Sequence, residues 1–512
     1  MGDVKIELTG PDFAQGVNQD AVVQNQPLLG HAFGEAILLV RDGDEIFAVS
    51  AICPHYQAPL ANGLQVNGTI RCPMHHAVFD VRSGEATAPS PNRLTCFSIE
   101  RVGNAVRVTG QRQHQPPPKG TSTSLNAVVI VGAGAAGHAA AETLRNAGYA
   151  GSISVIGADA NAPYDRPNVS KDYLAGTAPE AWMPLRPPSF FTEQNIGLKL
   201  GVRATRIARD TRSVLLSDGT TLAYDALLLA TGAEPNRLTI PGADLPHVHT
   251  LRTLADSRSI ISQLGDAKQA VVVGASFIGL EVAASLRARN LSVHVVAPDA
   301  LPFKRVLGPE LGQFFKQLHE DNGVIFHLGQ TPKAIDRQQG VTLESGEVIA
   351  ADVVVAGVGV QPAIDLAVAA GLEIDRGVIV NEFLQTSDRN IYAVGDIARW
   401  PDKYSGEKIR VEHWVVAQRQ GQTAARNILG QKVPFDVIPF FWTSQFGVTV
   451  NYVGHASTWD RIDIDGSVAA RDCTLRYVKN DRLVAVATIG RDIESLKAEL
   501  EMENGITYRG TI

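Results

Sequence analysis

Cysteine is scarce. The 512-residue chain has four, at positions 53, 72, 96 and 473. So few rule out a disulfide-stapled scaffold and suit a reducing compartment. Long apolar runs are missing too: none approaches the ~18 residues of a membrane span. The first residues show no basic-then-apolar leader pattern, so a cytoplasmic protein with no membrane partner is expected. Nor is there a basic excess. Lys and Arg total 46 against 53 Asp and Glu, a formal net charge of −7. That argues against nucleic acid as a partner but permits docking on a basic patch of a carrier protein. What is plentiful is glycine, at 47 residues, within a 45% hydrophobic composition ordinary for an α/β protein. The length allows about three or four domains.

Two of the four cysteines belong to a pattern. Cys53-Pro-His55 is followed, after residues 56–71, by Cys72-Pro-Met-His75. One Cys and one His on each of two short loops is the ligand set of a Rieske [2Fe–2S] centre, two thiolates on one iron and two imidazoles on the other. A structural zinc site would usually repeat C-x₂₋₄-C with a later His pair, and here each half mixes one Cys with one His. His76 breaks the spacing and reads as a non-ligand neighbour. The stretch CPMHHAVFDVRSGEATAPSP resembles the second half of a Rieske domain. Ala58 and Met74 stand where respiratory Rieske proteins carry an extra disulfide. The resemblance therefore implies a ferredoxin-like centre near the low end of the roughly −150 to +300 mV Rieske range.

Around this pattern the first 110 residues read as short strands: Ala36–Val40, Ile46–Ser50, Val78–Val81, Thr95–Arg101 and Ala105–Thr109. Asp-Gly, Asn-Gly and Gly-Asn turns separate them. Residues 111–124, with Pro116-Pro117-Pro118, read as a linker.

Beyond it, strand Ala127–Val131 runs into Gly132-Ala-Gly134-Ala-Ala-Gly137 and a helix over His138–Asn146. The first glycine makes the turn, the second admits a pyrophosphate, and the third lets helix pack on strand. Strand Ile153–Ile156 follows, with Asp159 near where an acid would meet a ribose hydroxyl. A second unit runs Ala270-Val-Val-Val-Gly274-Ala-Ser276-Phe-Ile-Gly279, then helix Leu280–Arg289 and strand Ser292–Val296. Ser276 replaces the middle glycine and crowds the turn a little. No acid ends that strand: Ala297-Pro298 stand there, then Asp299, Lys304 and Arg305. NADH and NADPH both stay open, with NADH favoured. Leu227–Ala230 with Thr231-Gly232, and Ile391–Val394 with Gly395-Asp396, close the pattern. The latter places a carboxylate where a flavin's ribityl chain would lie. A Gly-Asp after a strand is commonly only a turn; in this order the elements point to FAD and a nicotinamide nucleotide.

From about residue 125 onward the chain resembles FAD-dependent pyridine-nucleotide oxidoreductases of the ferredoxin-reductase branch. With the module in front, it resembles apoptosis-inducing-factor-like proteins that carry an N-terminal Rieske domain. The matching stretches are Pro163-Tyr-Asp-Arg166-Pro-Asn-Val-Ser-Lys171, Gly274–Glu281, Pro302–Gly308, Val411-Glu412-His413-Trp414 and Phe440–Phe446. The resemblance implies Arg166 at the FAD, a Lys171–Glu281 pair beside the flavin, Glu412, His413 and Trp414 next to its ring, and Trp442 near its rim. Against this, two charges in distant segments are often unrelated surface groups, and most Trp are simply core. Disulfide reductases of the same fold carry Cys-x₄-Cys early in the FAD domain. This chain has no cysteine between 96 and 473, which excludes dithiol chemistry.

The expected fold is multidomain: a small all-β Rieske domain (1–110), the linker (111–124), two Rossmann-like α/β domains and an α+β C-terminal domain. The FAD domain takes 125–249 and 373–430, the NAD(P)H domain 250–372, and the reductase-type or dimerisation-like domain 431–512. The expected activity passes electrons from NAD(P)H through FAD to the chain's own cluster, and on to an oxygenase, cytochrome P450 or ferredoxin. The chain would be a monomer or homodimer. A redox-sensing protein switched by nicotinamide binding is the second reading. A complete oxygenase would need a mononuclear iron held by two His and a carboxylate. The nearest candidate, His247 and His249 with Asp244, reads as a loop between the two nucleotide folds.

Overall fold

The computed structural model describes residues 8–113 and 125–505, so the expected linker lies, from 114 on, outside the described residues. The described residues form two compact units. Residues 8–113, 146–149 and 491–505 make one, and the rest make the other.

In the first unit a six-stranded sheet runs in the order Val17–Asn18, Ala105–Gln111, Cys96–Val102, Glu45–Ser50, Glu35–Asp42, Leu28–Ala32. A three-stranded sheet holds Leu64–Val66, Thr69–Arg71 and Val78–Asp80. All pairings are antiparallel. Side chains alternate across a strand, and Glu35–Asp42 uses both faces. Ile37 and Leu39 enter a core with Phe13, Phe97 and Val108. Leu38 and Val40 enter another with Cys53, Leu60, Cys72 and Phe79. The second core backs the two cysteine loops. Asn67 and Gly68 both take positive φ, at 49° and 69°, as a tight primed turn between short antiparallel strands requires.

The second unit contains two parallel five-stranded sheets. The first runs Ile196–Leu200, Ser152–Gly157, Ala127–Val131, Ala226–Leu229, Ile391–Ala393. The second runs Val248–Thr250, Val353–Ala356, Gln269–Val273, Ser292–Ala297, Val324–Leu328. The last strand of the first sheet follows the whole second sheet in sequence, so one α/β fold is inserted in the other. His249 is corrected here. It lies in the edge strand Val248–Thr250, not in a loop, because that segment pairs with Val353–Ala356. A five-stranded antiparallel sheet follows: Phe440–Gln445, Val448–Gly454, Arg482–Ile489, Asp472–Lys479, Arg461–Ser467. Its Val450, Tyr452, Leu475 and Tyr477 share one core with Leu280, Leu286 and Phe315 of the inserted fold. Among the described residues no helix is long and apolar enough to cross a membrane.

Candidate functional site: two cysteine loops and a flavin-type cleft

The two loops of the first unit share one backbone plan. Cys53 N–H donates to Ala58 O (2.9 Å) and Gln57 N–H to Cys53 O (3.0 Å). Cys72 N–H donates to Ala77 O (2.8 Å) and His76 N–H to Cys72 O (3.1 Å). Gln57 and His76, the fifth residue of each loop, both sit at φ 58°, in the left-handed region. This turn aims backbone N–H groups of His55 and Tyr56 at the Cys53 sulfur, and those of Met74 and His75 at the Cys72 sulfur. The two thiols hydrogen-bond each other; Cys72 and burial push Cys53 up, while Cys53 pulls Cys72 down to about 7.

His55 Nδ1 and His75 Nδ1 face each other 3.2 Å apart, and burial lowers the His55 pKa to about 3. Two imidazoles with converging nitrogens, and two sulfurs receiving amide hydrogens, fit a [2Fe–2S] centre with two protein ligands per iron. Among the described residues no three His, Cys, Asp or Glu gather as a single-ion site. His247, His249 and Asp244 therefore do not form a metal site. Cys96 and Cys473 are buried, and neither forms a disulfide among the described residues.

In the second unit the first glycine-rich turn is tight where it must be. A Cβ on Gly132 (φ 117°) would lie 2.0 Å from Ala230 O, and one on Gly137 would lie 1.9 Å from Gly132 O. At Gly134 a Cβ would meet only the Arg166 guanidinium, at 3.6 Å, so the turn leaves room for a ligand. Desolvation, then the Arg252 charge, pulls the Arg166 pKa down. Its buried Nε has no hydrogen-bond partner among the described residues. An underneutralised arginine at the head of a Gly-x-Gly-x-x-Gly helix suits a pyrophosphate.

Arg252 pairs with Asp396, in the short turn Gly395–Ile397. A Cβ on Gly232 (φ 73°) would be 3.5 Å from Arg252 and 3.9 Å from Asp396. Thr231 Oγ1 donates to Ala363 O (2.7 Å), and Gly395 N–H to the buried Gln420 Oε1 (2.7 Å). The separate sequence signals thus meet at one place. Asp159 is already engaged: Oδ1 accepts from Asn161 N–H (2.9 Å) and Nδ2 (2.7 Å), and Oδ2 from the Tyr164 hydroxyl (2.9 Å). Of the roughly four acceptor positions of a carboxylate, about one is left for a further donor.

Lys171 and Glu281 do meet. Lys171 Nζ is 2.9 Å from Glu281 Oε2, which also accepts from the Ser170 hydroxyl at 2.6 Å. Glu281 Oε1 accepts from the Thr443 hydroxyl (2.9 Å), whose oxygen accepts from Gln445 Nε2 (3.0 Å). Gln445 Oε1 stands 2.7 Å from His319 Nε2, which must then carry the proton. Ser170, Thr443, Arg252 and Gln420 went unread in the sequence, although Ser170 and Thr443 lie within the matching stretches.

Glu412 is exposed and pairs with Arg410 (2.7 Å), which also donates to Asp396 O (2.8 Å). His413 precedes helix Trp414–Ile428 with its ring 4.7 Å from that of Phe441; burial, then His455, lowers its pKa to about 3. Trp414 and Trp442 are half-buried, and Trp442 stacks at 6.2 Å on Phe440.

The second glycine-rich turn is similar. A Cβ on Gly274 (φ 108°) would be 2.4 Å from Gly357 O, and one on Gly279 2.1 Å from Gly274 O. Ser276 needs no glycine conformation, at φ −81°. It caps helix Phe277–Ala288, accepting from Gly279 N–H (3.3 Å) and donating to Gly357 O (2.7 Å). Past the strand end, Asp299 pairs with Arg305 at 2.8 Å.

Known proteins agree with this architecture. Residues 126–421 match the family model "Pyridine nucleotide-disulphide oxidoreductase". The chain belongs to that family. Residues 15–98 match the Rieske [2Fe-2S] domain and 440–509 the reductase C-terminal domain. The chain is 35% identical over 477 residues to apoptosis-inducing factor 3 of Homo sapiens, spanning 89% of this chain and 78% of that one. It is 37% identical to rhodocoxin reductase of Rhodococcus erythropolis, over 72% of this chain and 88% of that one. Among solved structures, the covalent putidaredoxin reductase–putidaredoxin complex matches with TM-score 0.71 and 37% identity, over 75% of this chain and 94% of that one. The chain is a ferredoxin-reductase-like NAD(P)H flavoprotein with a Rieske module ahead of it, and the family implies FAD, a nicotinamide nucleotide and a [2Fe–2S] cluster.

Proposed function

We propose that the chain takes electrons from NADH in preference to NADPH and passes them through FAD to its own Rieske cluster, and from there to an external redox protein such as an oxygenase, cytochrome P450 or ferredoxin. When bound, FAD supplies two-electron hydride acceptance with one-electron release, and the cluster supplies one-electron transfer. Cys53, His55, Cys72 and His75 would hold the cluster. Gly132, Gly134, Gly137, Asp159, Arg166, Thr231, Gly232, Gly395 and Asp396 would bind FAD, with Glu412, His413, Trp414 and Trp442 beside its ring. Gly274, Ser276 and Gly279 would receive the nicotinamide nucleotide. In this reading Lys171 is a fixed cation for charge that develops on the flavin, and Glu281 keeps it charged and oriented. The domain boundaries read from the sequence belong to the same proposal.

The observation that carries the reading is the Lys171–Glu281 contact at 2.9 Å, with Ser170 and Thr443 completing the carboxylate's shell. An isolated surface pair would not be enclosed in this way. Anaerobic stopped-flow mixing with NADH, then NADPH, tests it. Flavin bleaching should be followed by a reduced Rieske EPR signal in the same molecule, faster with NADH. Flavin reduction with a cluster that stays oxidised would refute the internal relay. A cluster midpoint well into the positive range would also count against it.

A further inference from the structure

The helix Asp492–Glu503 lies far along the chain from the cysteine loops yet belongs to the same compact unit. Its Ser495, Glu499 and Glu503 are spaced by four residues and so share one face. Glu499 Oε2 stands 2.6 Å from His76 Nδ1, and both side chains are 0% exposed. Ser495 Oγ stands 3.1 Å from His76 Nε2. Glu503 takes Arg71 in a two-pronged bond, Nη1–Oε1 at 3.1 Å and Nη2–Oε2 at 2.6 Å.

Arg71 immediately precedes Cys72, and His76 immediately follows His75. The helix therefore grips the second cysteine loop at both ends. His76 also holds the left-handed conformation (φ 58°) that closes the loop, one that disfavours a residue with a Cβ. A carboxylate is expensive to bury without compensation, so covering apolar surface does not by itself account for Glu499 at this spot.

We infer that Glu499 is a positioning residue for the cluster: through His76 it fixes the second ligand loop, and with it the aim of Cys72 and His75. The inference rests on those residues, with Cys53 and His55, being the cluster ligands. Glu499 acts on the residue that closes their turn. The chain's C-terminal helix thus serves as an outer brace of the iron–sulfur module.

The test uses full-length protein loaded with FAD and cluster, in the variants Glu499→Leu, Glu499→Gln and His76→Asn. Iron content, the EPR line shape of the dithionite-reduced cluster and the rate of bleaching by a chelator are measured, with FAD content as the folding control. Glu499→Leu should broaden or shift the Rieske signal and speed chelator bleaching roughly tenfold. His76→Asn should do the same, and the double variant should add little, since both break one contact. Glu499→Gln, which keeps an acceptor for an imidazole N–H, should stay close to wild type; should the leucine variant not accumulate with FAD, Glu499→Ala carries the test, and bleaching at the wild-type rate would then overturn the inference. Wild-type protein that binds no cluster would refute the ligand assignment itself. Wild-type protein with a cluster, and a Glu499→Leu variant of identical signal and bleaching rate, would overturn the positioning role alone.

Discussion

Lys171 and Glu281 stand 110 positions apart in sequence and 2.9 Å apart in space. The lysine comes from the first nucleotide-binding fold and the glutamate from helix Phe277–Ala288 of the inserted one. The pair therefore ties the two folds together.

Replacing the lysine removes the fixed cation and leaves Glu281, 4% exposed, without its counter-ion. Lys171→Ala should slow flavin bleaching by NADH about tenfold or more. An unchanged rapid-mixing rate would take Lys171 out of the mechanism.

Thr443 reaches the same carboxylate from the C-terminal sheet. Thr443→Val keeps the shape but strips the donor from Glu281 Oε1 and the acceptor from Gln445. Unpaired buried polar groups cost about 1–3 kcal/mol each, so thermal unfolding of the flavin-loaded protein should begin several degrees lower. A midpoint equal to wild type would show that water replaces the hydroxyl.

His319 ends this chain of hydrogen bonds, and burial lowers its pKa to about 4. The unfolded chain takes up the proton near pH 6.5, the buried ring only near pH 4, so the unfolded state binds more protons between them. The stability contributed by the neutral ring is complete above pH 6.5 and is lost as pH falls toward 4, by roughly 3 kcal/mol. Denaturation midpoints taken from pH 7 to pH 4.5 should fall less steeply in His319→Gln than in wild type. Equal slopes would assign the acid sensitivity elsewhere.

In the inserted fold, just past strand Ser292–Ala297, Asp299 holds Arg305. Asp299→Ala would free that guanidinium for a 2′-phosphate and remove the acid that repels one. The ratio of kcat/KM for NADH to that for NADPH should drop about tenfold. A ratio that does not move would leave specificity to other residues.

What the sequence made legible was local. The strand Ala127–Val131 and the turns at Gly132 and Gly274 follow from short-range periodicity and steric need, as do the paired Cys and His. The helix after Gly134 starts at Ala135 rather than His138, an end effect that periodicity does not resolve. Ser276 was readable as a helix cap, since Ser before a helix favours that role, but its place in a glycine pattern drew attention to crowding instead. Ser170, Thr443 and Gln420 were not legible, because a hydroxyl or amide becomes informative only once the fold supplies its partner. His76 is the sharpest case. The spacing excluded it as a ligand, while its partner Glu499 lies 423 residues away.

That distance in sequence is also a distance in time. Residues 8–113 leave the ribosome long before 491–505, with which they share a unit. At ~5–20 residues per second the gap is roughly 20–75 s. Throughout that interval the nascent module presents the second loop with His76 unclamped and the surface destined for Ser495 and Glu499 open to solvent. If Glu499 braces the loop, iron–sulfur assembly on this polypeptide would have two windows, an early one on an unbraced loop and a late one on a closed one. On that reading, the order in which cofactor delivery and translation finish would decide which loop the cluster meets.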